Sequence, residues 1–188
     1  MKKICLQCRK MVETEVLERE ETYKIKGEDV KVNSRIPVCV ECGAELWDDE
    51  MSNETIKEAY RVYRVRHDLL TPEEIHAIRD QYGLSQANFA KILGFGDKTV
   101  TRYENGSLQD EANNSLLFLC RNPANFRALL EKNGHKIPTS EKYKALSHCE
   151  QILYQSDYVY LPPSIPYRMN ADLNREPATI LEYRARVA

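Results

Sequence analysis

Two Cys-x-x-Cys pairs, Cys5/Cys8 and Cys39/Cys42, stand about 30 residues apart near the start of the chain, and they constrain its first fifty residues more than any other feature. Two residues between cysteines allow a tight knuckle in which both sulfurs turn toward one point. Two knuckles supply the four ligands of a tetrahedral zinc site. Four thiolates fill that coordination sphere and leave no position for water, so one Zn²⁺ per chain is expected in a structural role. A thioredoxin-like redox pair would need the motif at a strand-to-helix junction in a βαβ unit, and neither pair has that setting. Between the knuckles, Val16-Leu17, Thr22 to Lys26 and Val30-Lys31-Val32 read as short alternating strands broken by a turn at Gly27. This is the pattern of a small zinc ribbon. About 50 residues of this composition have too little core to fold securely alone, so metal binding is expected to contribute much of the stability. Cys120, in the run Leu116-Leu117-Phe118-Leu119-Cys120, reads as a core residue, and Cys149 beside His148 as packed or solvated.

The 188 residues are 42% apolar and 30% charged, as in soluble globular proteins. Lys2 and Lys3 lead into Cys5, Gln7 and Cys8 rather than an apolar run, so neither a signal peptide nor a membrane span is expected and a cytoplasmic address follows. The net charge of -2 is unevenly spread: residues 1–56 hold 9 basic and 13 acidic side chains, whereas residues 121–188 hold 10 and 7. Four zinc-bound thiolates would deepen the acidity of the front end. An acidic surface repels DNA and suits a basic protein partner.

The middle of the chain reads as helices. Thr71-Pro72-Glu73-Glu74 combines a capping hydroxyl, a proline at the first helical position and a Glu three residues after the cap, starting a helix through Ile75 and Ile78 to about Tyr82. A second helix opens at Ser85 and carries Phe89, Ala90, Ile92 and Leu93 before Gly94. A third short helix carries Lys98 to Glu104 before Asn105-Gly106. Ala90 is small where two helices cross, Gly94 permits a tight turn, and Phe89, Leu93, Val100 and Tyr103 are spaced to bury the inner faces, as a helix-turn-helix requires. Helices from Asp110 to Cys120 and from Pro123 to Asn133 complete the bundle and offer a dimer interface.

The stretch Leu84-Ser85-Gln86, Phe89-Ala90, Leu93-Gly94-Phe95 and Val100 to Gly106 resembles the Xre/Cro-type helix-turn-helix family. With the four-cysteine ribbon in front, residues 1 to about 135 resemble the MqsA antitoxin family, also described as YgiT-type zinc-finger proteins. The resemblance implies a non-enzymatic protein. Its zinc domain would engage a toxin, usually an RNA-cleaving one, while its helix-turn-helix domain dimerises and represses the operon's promoter. It also makes Gln86 the phosphate-positioning glutamine at the start of the second helix. At the position of Lys98 the family pattern carries an amide, so this chain departs from it there.

With Val100 and Tyr103 facing inward, the outward residues of the third helix are Asp97, Lys98, Thr99, Thr101 and Arg102, the candidate readers of double-stranded operator DNA. Arg102 can make a bidentate contact to guanine or pair with phosphate, and Lys98 sits near the helix start where base edges are approached. Simple solvation of both cations is the alternative. Lys57, Arg61, Arg64 and Arg66, interleaved with Tyr60 and Tyr63, fit equally a segment lying along phosphates and an amphipathic connecting helix.

The expected fold is therefore α+β. A zinc ribbon occupies residues 1–52, a basic linker helix 53–70, an all-α helix-turn-helix domain 71–135, and an extension 136–188. In the extension, Ser140 to Gln155 reads as helix, residues 161–167 as extended because of three prolines, and 177–187 as a last helix. The tyrosines Tyr143, Tyr154, Tyr158, Tyr160 and Tyr167 there mark a segment that packs onto its own bundle or onto a partner. The leading expectation is a DNA-binding, autorepressing antitoxin that forms a homodimer and masks a toxin. The alternatives are a zinc-containing Xre-type regulator without a toxin partner and a thiol or metal-dependent enzyme. The enzyme is disfavoured because the chain has no Gly-rich phosphate loop and no His-Glu-x-x-His, and its histidines His67, His76, His135 and His148 are scattered.

Overall fold

A computed structural model describes residues 2–155 of the chain. Three antiparallel strands in the order β1-β2-β3 form the front: β1 (Lys2–Cys5), β2 (Lys10–Ile25) and β3 (Glu28–Cys39). The β2–β3 hairpin closes on the pair Ile25↔Glu28. Its two turn residues, Lys26 and Gly27, have φ of 49° and 90°, the pair of left-handed residues that a type I′ turn demands.

The strands are longer than the sequence predicts. Val16-Leu17 and Thr22–Lys26 belong to one continuous 16-residue strand, because the intervening Glu18-Arg19-Glu20-Glu21 is fully paired with β3. Charge contacts replace apolar alternation there: Lys31 of β3 meets Glu20 at 2.7 Å, and Arg19 bridges Glu21 of its own strand and Glu45 beyond β3.

Among the described residues seven α-helices follow: α1 (Asp49–Arg66), α2 (Pro72–Asp80), α3 (Gln86–Leu93), α4 (Thr99–Glu104), α5 (Glu111–Leu119), α6 (Pro123–Asn133) and α7 (Thr139–Gln155). Asp48 starts α1 by accepting from the Met51 amide at 2.9 Å, and the same carboxylate takes an ion pair from Lys3 of β1. Lys3, before the backbone donors, holds that carboxyl below the usual range. The helix so anchored lays Ala59 and Tyr63 on Ile25, Val30 and Val32, the buried face of the hairpin. Thr71 and Glu74 form the expected capping box at α2. Gly94 ends α3 with φ 76°.

A second core holds the bundle together. Tyr82 stacks on Phe126 with ring centroids 3.8 Å apart and donates its hydroxyl to the Cys120 carbonyl, while Ile75, Phe89 and Val100 are fully buried around them. The expected helix Ser140–Gln155 is present as α7, and it seats Ala145 and Cys149 in this same core rather than standing apart as an appendage. Gly83 faces it with φ 62°, and a Cβ there would lie 2.6 Å from the His148 ring, so glycine is required. The expected extended segment 161–167 and last helix 177–187 lie outside the described residues.

Polar groups fix α2, α3 and α4 relative to one another. Glu104 of α4 receives Arg79 of α2 at 2.6 and 3.1 Å and the Gln86 amide of α3 at 2.7 Å. Burial pushes the Glu104 carboxyl up, but the donors Arg79 and Gln86 outweigh it and hold the group below its ordinary value. Because the folded protein binds that proton more weakly than the unfolded chain, this contribution is present above the usual carboxylate pKa and is lost as pH falls below it. Substituting Arg79→Leu leaves a buried carboxylate without its cation and should cost about 3 kcal/mol in urea unfolding at neutral pH. The double substitution Arg79→Leu/Glu104→Leu should recover much of that loss and flatten the acid limb of a stability-against-pH curve.

Candidate metal centre and nucleic-acid interface

The four sulfurs of Cys5, Cys8, Cys39 and Cys42 all lie within 4.8 Å of one another. Each knuckle is shaped by backbone. The amide of Cys8 points at the Cys5 sulfur at 3.4 Å, and Arg9 then turns the chain with φ 56°. In the second knuckle Gly43 donates to the Cys39 carbonyl at 2.8 Å, takes φ 70°, and returns the chain so that the Cys39 amide meets the Ala44 carbonyl at 2.9 Å. One left-handed residue directly after each Cys-x-x-Cys therefore aims both sulfur pairs at a common point.

This donor set fits a divalent soft metal. The Cys5–Cys42 and Cys8–Cys39 sulfurs are 3.6 and 3.9 Å apart, on either side of the edge of about 3.8 Å that a tetrahedron with Zn–S bonds of about 2.3 Å would have. Thiols this close cannot all ionise by themselves. The Cys8 amide, ahead of other donors, lowers the Cys5 thiol to about 7, whereas the neighbouring sulfurs, Cys42 foremost, push Cys8 up to about 12. A bound dication would supply the charge that lets all four coordinate as thiolates. Cys120 and Cys149 are buried in the helical core, away from this cluster, and burial raises both thiols.

The helix-turn-helix residues divide by accessibility. Asp97, Lys98 and Arg102 are exposed, and Thr99 and Thr101 are half-buried, while Val100 and Tyr103 are buried as their spacing predicts. Lys98 stands at the N-cap position of the six-residue α4 rather than within it, its φ of -100° and ψ of 1° being non-helical, and its side chain makes no capping hydrogen bond. Neither Lys98 nor Arg102 enters an ion pair among the described residues, so both charges are available to a ligand. Gln86 is spoken for on both sides of its amide: its nitrogen donates to Glu104 and its oxygen accepts from the Thr101 hydroxyl at 2.8 Å. That arrangement pins the start of α3 to the middle of α4.

The basic residues of α1 do not act alike. Lys57, Arg61 and Arg66 are exposed; Arg61 pairs with Glu58, and Arg66 donates to the Asp29 carbonyl at 3.1 Å. Arg64 is buried and donates to the Gly106 carbonyl beyond α4. Sequence reasoning grouped it with its neighbours, and only its position four residues and five residues from Tyr60 and Ala59, on the packed side, distinguishes it. Of the histidines, His67 stacks on Tyr63 at 4.2 Å and meets Glu28 at 2.9 Å, and His148 is half-buried against Gly83.

No helix among the described residues is long and apolar enough to cross a membrane. No curated protein matches the chain. Residues 1–131 match the family described as the antitoxin component of a bacterial toxin-antitoxin system, MqsA. A match that takes in both cysteine knuckles and the whole of α1 to α5 places this chain in the MqsA antitoxin family.

Proposed function

We propose that the chain is a non-enzymatic, zinc-stapled antitoxin that represses its own operon through α4 and masks a toxin with its ribbon. The observation that carries the DNA half is the pair of unpaired, exposed cations, Lys98 and Arg102, on a short helix held rigid from behind by Glu104 and Gln86. Arg102 reads a guanine edge or a phosphate, Lys98 approaches base edges from the helix start, Asp97, Thr99 and Thr101 flank them, and the amide nitrogen of Gln86, with one hydrogen left beyond its bond to Glu104, meets phosphate at the start of α3. Lys57 and Arg61 extend the basic surface along the flanking backbone. Exposed Phe118 and Leu119 on α5 suit a two-fold dimer, which would set two reading helices about one DNA turn apart, roughly 34 Å.

On the ribbon, Ile4 and Met11 sit directly opposite each other across β1 and β2, 65% and 56% exposed, with Leu6 and Val40 also open to solvent. An apolar patch on an acidic module fits the masking of a basic toxin. The metal at Cys5, Cys8, Cys39 and Cys42 is Zn²⁺ in a structural role.

Purified protein should carry about one zinc per chain by atomic emission. Cys39→Ser should remove most of that metal and disorder the ribbon. Arg102→Ala should cost about 1–3 kcal/mol in specific operator binding by titration at fixed salt, whereas Gln86→Ala should weaken specific and non-specific DNA alike; unchanged affinity in Arg102→Ala refutes the reading helix. Ile4→Asp/Met11→Asp should release the neighbouring gene's product in copurification by at least about tenfold while leaving operator affinity intact.

A further inference from the structure

A cleft of about 630 Å³ opens between α1, the start of α2 and the end of α4, within the size range of small-molecule sites. Tyr60, Val65, Leu69 and Pro72 give it apolar walls, and Arg64 is part of its lining. Arg64 is 7% exposed, yet no carboxylate among the described residues lies within ion-pair distance of it. Among the described residues its guanidinium donates only to main-chain carbonyls, Gly106 at 2.5 Å and Ser107 at 3.5 Å, and its buried Nε has no partner. A buried cation hydrogen-bonded to neutral carbonyls is under-compensated: burial lowers its pKa, and the field of the Glu73 carboxylate offsets that only in part.

The rest of the lining selects the missing anion. Lys57 and Arg61 stand at the cleft on the α1 side, while Asp68 and Glu73 stand at it with their carboxylates exposed. Glu104, also in the lining, is consumed by Arg79 and Gln86. Asp68 and Glu73 repel a dianion such as phosphate about twice as strongly as a monoanion, and phosphate would leave the apolar walls unfilled. One carboxylate matches the planar fork of an arginine, and an apolar body matches Tyr60, Val65, Leu69 and Pro72. We infer that this cleft is a binding site for a small organic carboxylate with an apolar body, its carboxylate paired with Arg64.

The full-length protein, labelled with ¹⁵N, can be titrated with 2-naphthoate, with 2-naphthylmethanol as a neutral probe of similar shape, and with inorganic phosphate. The expected result is 2-naphthoate binding with a Kd below about 1 mM that shifts the amides of Leu69, Asn105 and Gly106. The alcohol should bind at least about tenfold more weakly, phosphate should not displace 2-naphthoate, and Arg64→Met should abolish binding while Arg64→Lys retains part of it. The inference is overturned by equal affinity for acid and alcohol, by displacement with equimolar phosphate, by shifts confined to other parts of the protein, or by no binding. Undiminished binding in a folded Arg64→Met protein overturns it as well. If that variant does not fold, the acid-against-alcohol comparison on the unaltered protein still decides.

Discussion

One buried carboxylate organises the helix-turn-helix. Glu104 sits at the end of α4 and draws in Arg79 from α2 and Gln86 from α3, and Gln86 in turn holds the Thr101 hydroxyl. A six-residue helix has almost no stability of its own, because the entropy of its first turn is barely offset by the few hydrogen bonds it makes. Apolar burial of Val100 and Tyr103 gives α4 its attraction to the bundle, but apolar contact is non-directional. The charge-assisted hydrogen bonds to Glu104 set its rotation about its own axis, and that rotation decides which residues reach solvent. Lys98 and Arg102 are exposed because the opposite side of α4 is committed.

The legibility of this fold in the sequence follows the kind of force at work. The bundle was readable because α2, α3, α5 and α6 each begin with a capping side chain and carry apolar residues at helical spacing, from Thr71 before α2 to Asn122 before α6. The cysteine cluster was readable from spacing alone. The middle of the hairpin, Glu18 to Glu21, is not legible as strand because it is held by main-chain hydrogen bonds and by charge contacts such as Glu20 with Lys31, which leave no period-2 apolar signature. The different fates of Arg61 and Arg64 are only partly legible: helical spacing from Ala59 and Tyr60 sets Arg64 on the packed side of α1, but the carbonyl that holds it comes from the loop after α4, which is a tertiary fact.

At the metal centre the same comparison of forces explains why the knuckles tolerate strain. Arg9 adopts a left-handed conformation without being glycine, a cost on the order of 1 kcal/mol. The small core around Cys5, Val12 and Cys39 cannot supply much against it. Coordination of a metal by four thiolates would stabilise far more than this and would outweigh the cost of the arginine in that knuckle.

The segment from Gly106 to Gln109 joins these two systems. Arg64 holds the Gly106 carbonyl, Leu108 packs on the hairpin cluster with Ile25 and Tyr63, and Lys26 from the hairpin turn donates to the Gln109 carbonyl at 2.8 Å. Gln109 itself is fully buried and donates to the Leu70 carbonyl at 2.7 Å. This loop directly follows α4, so the hairpin and α1 fix the far end of the helix whose near side is fixed by Glu104. A disturbance that loosens the β2–β3 hairpin or draws Arg64 away from Gly106 therefore acts on the C-terminal end of α4 through three short contacts, with no need for a path through the bundle core. Arg102 lies four residues before Gly106 and its carbonyl accepts the Ser107 amide at 2.9 Å, which makes its backbone the first part of α4 to respond.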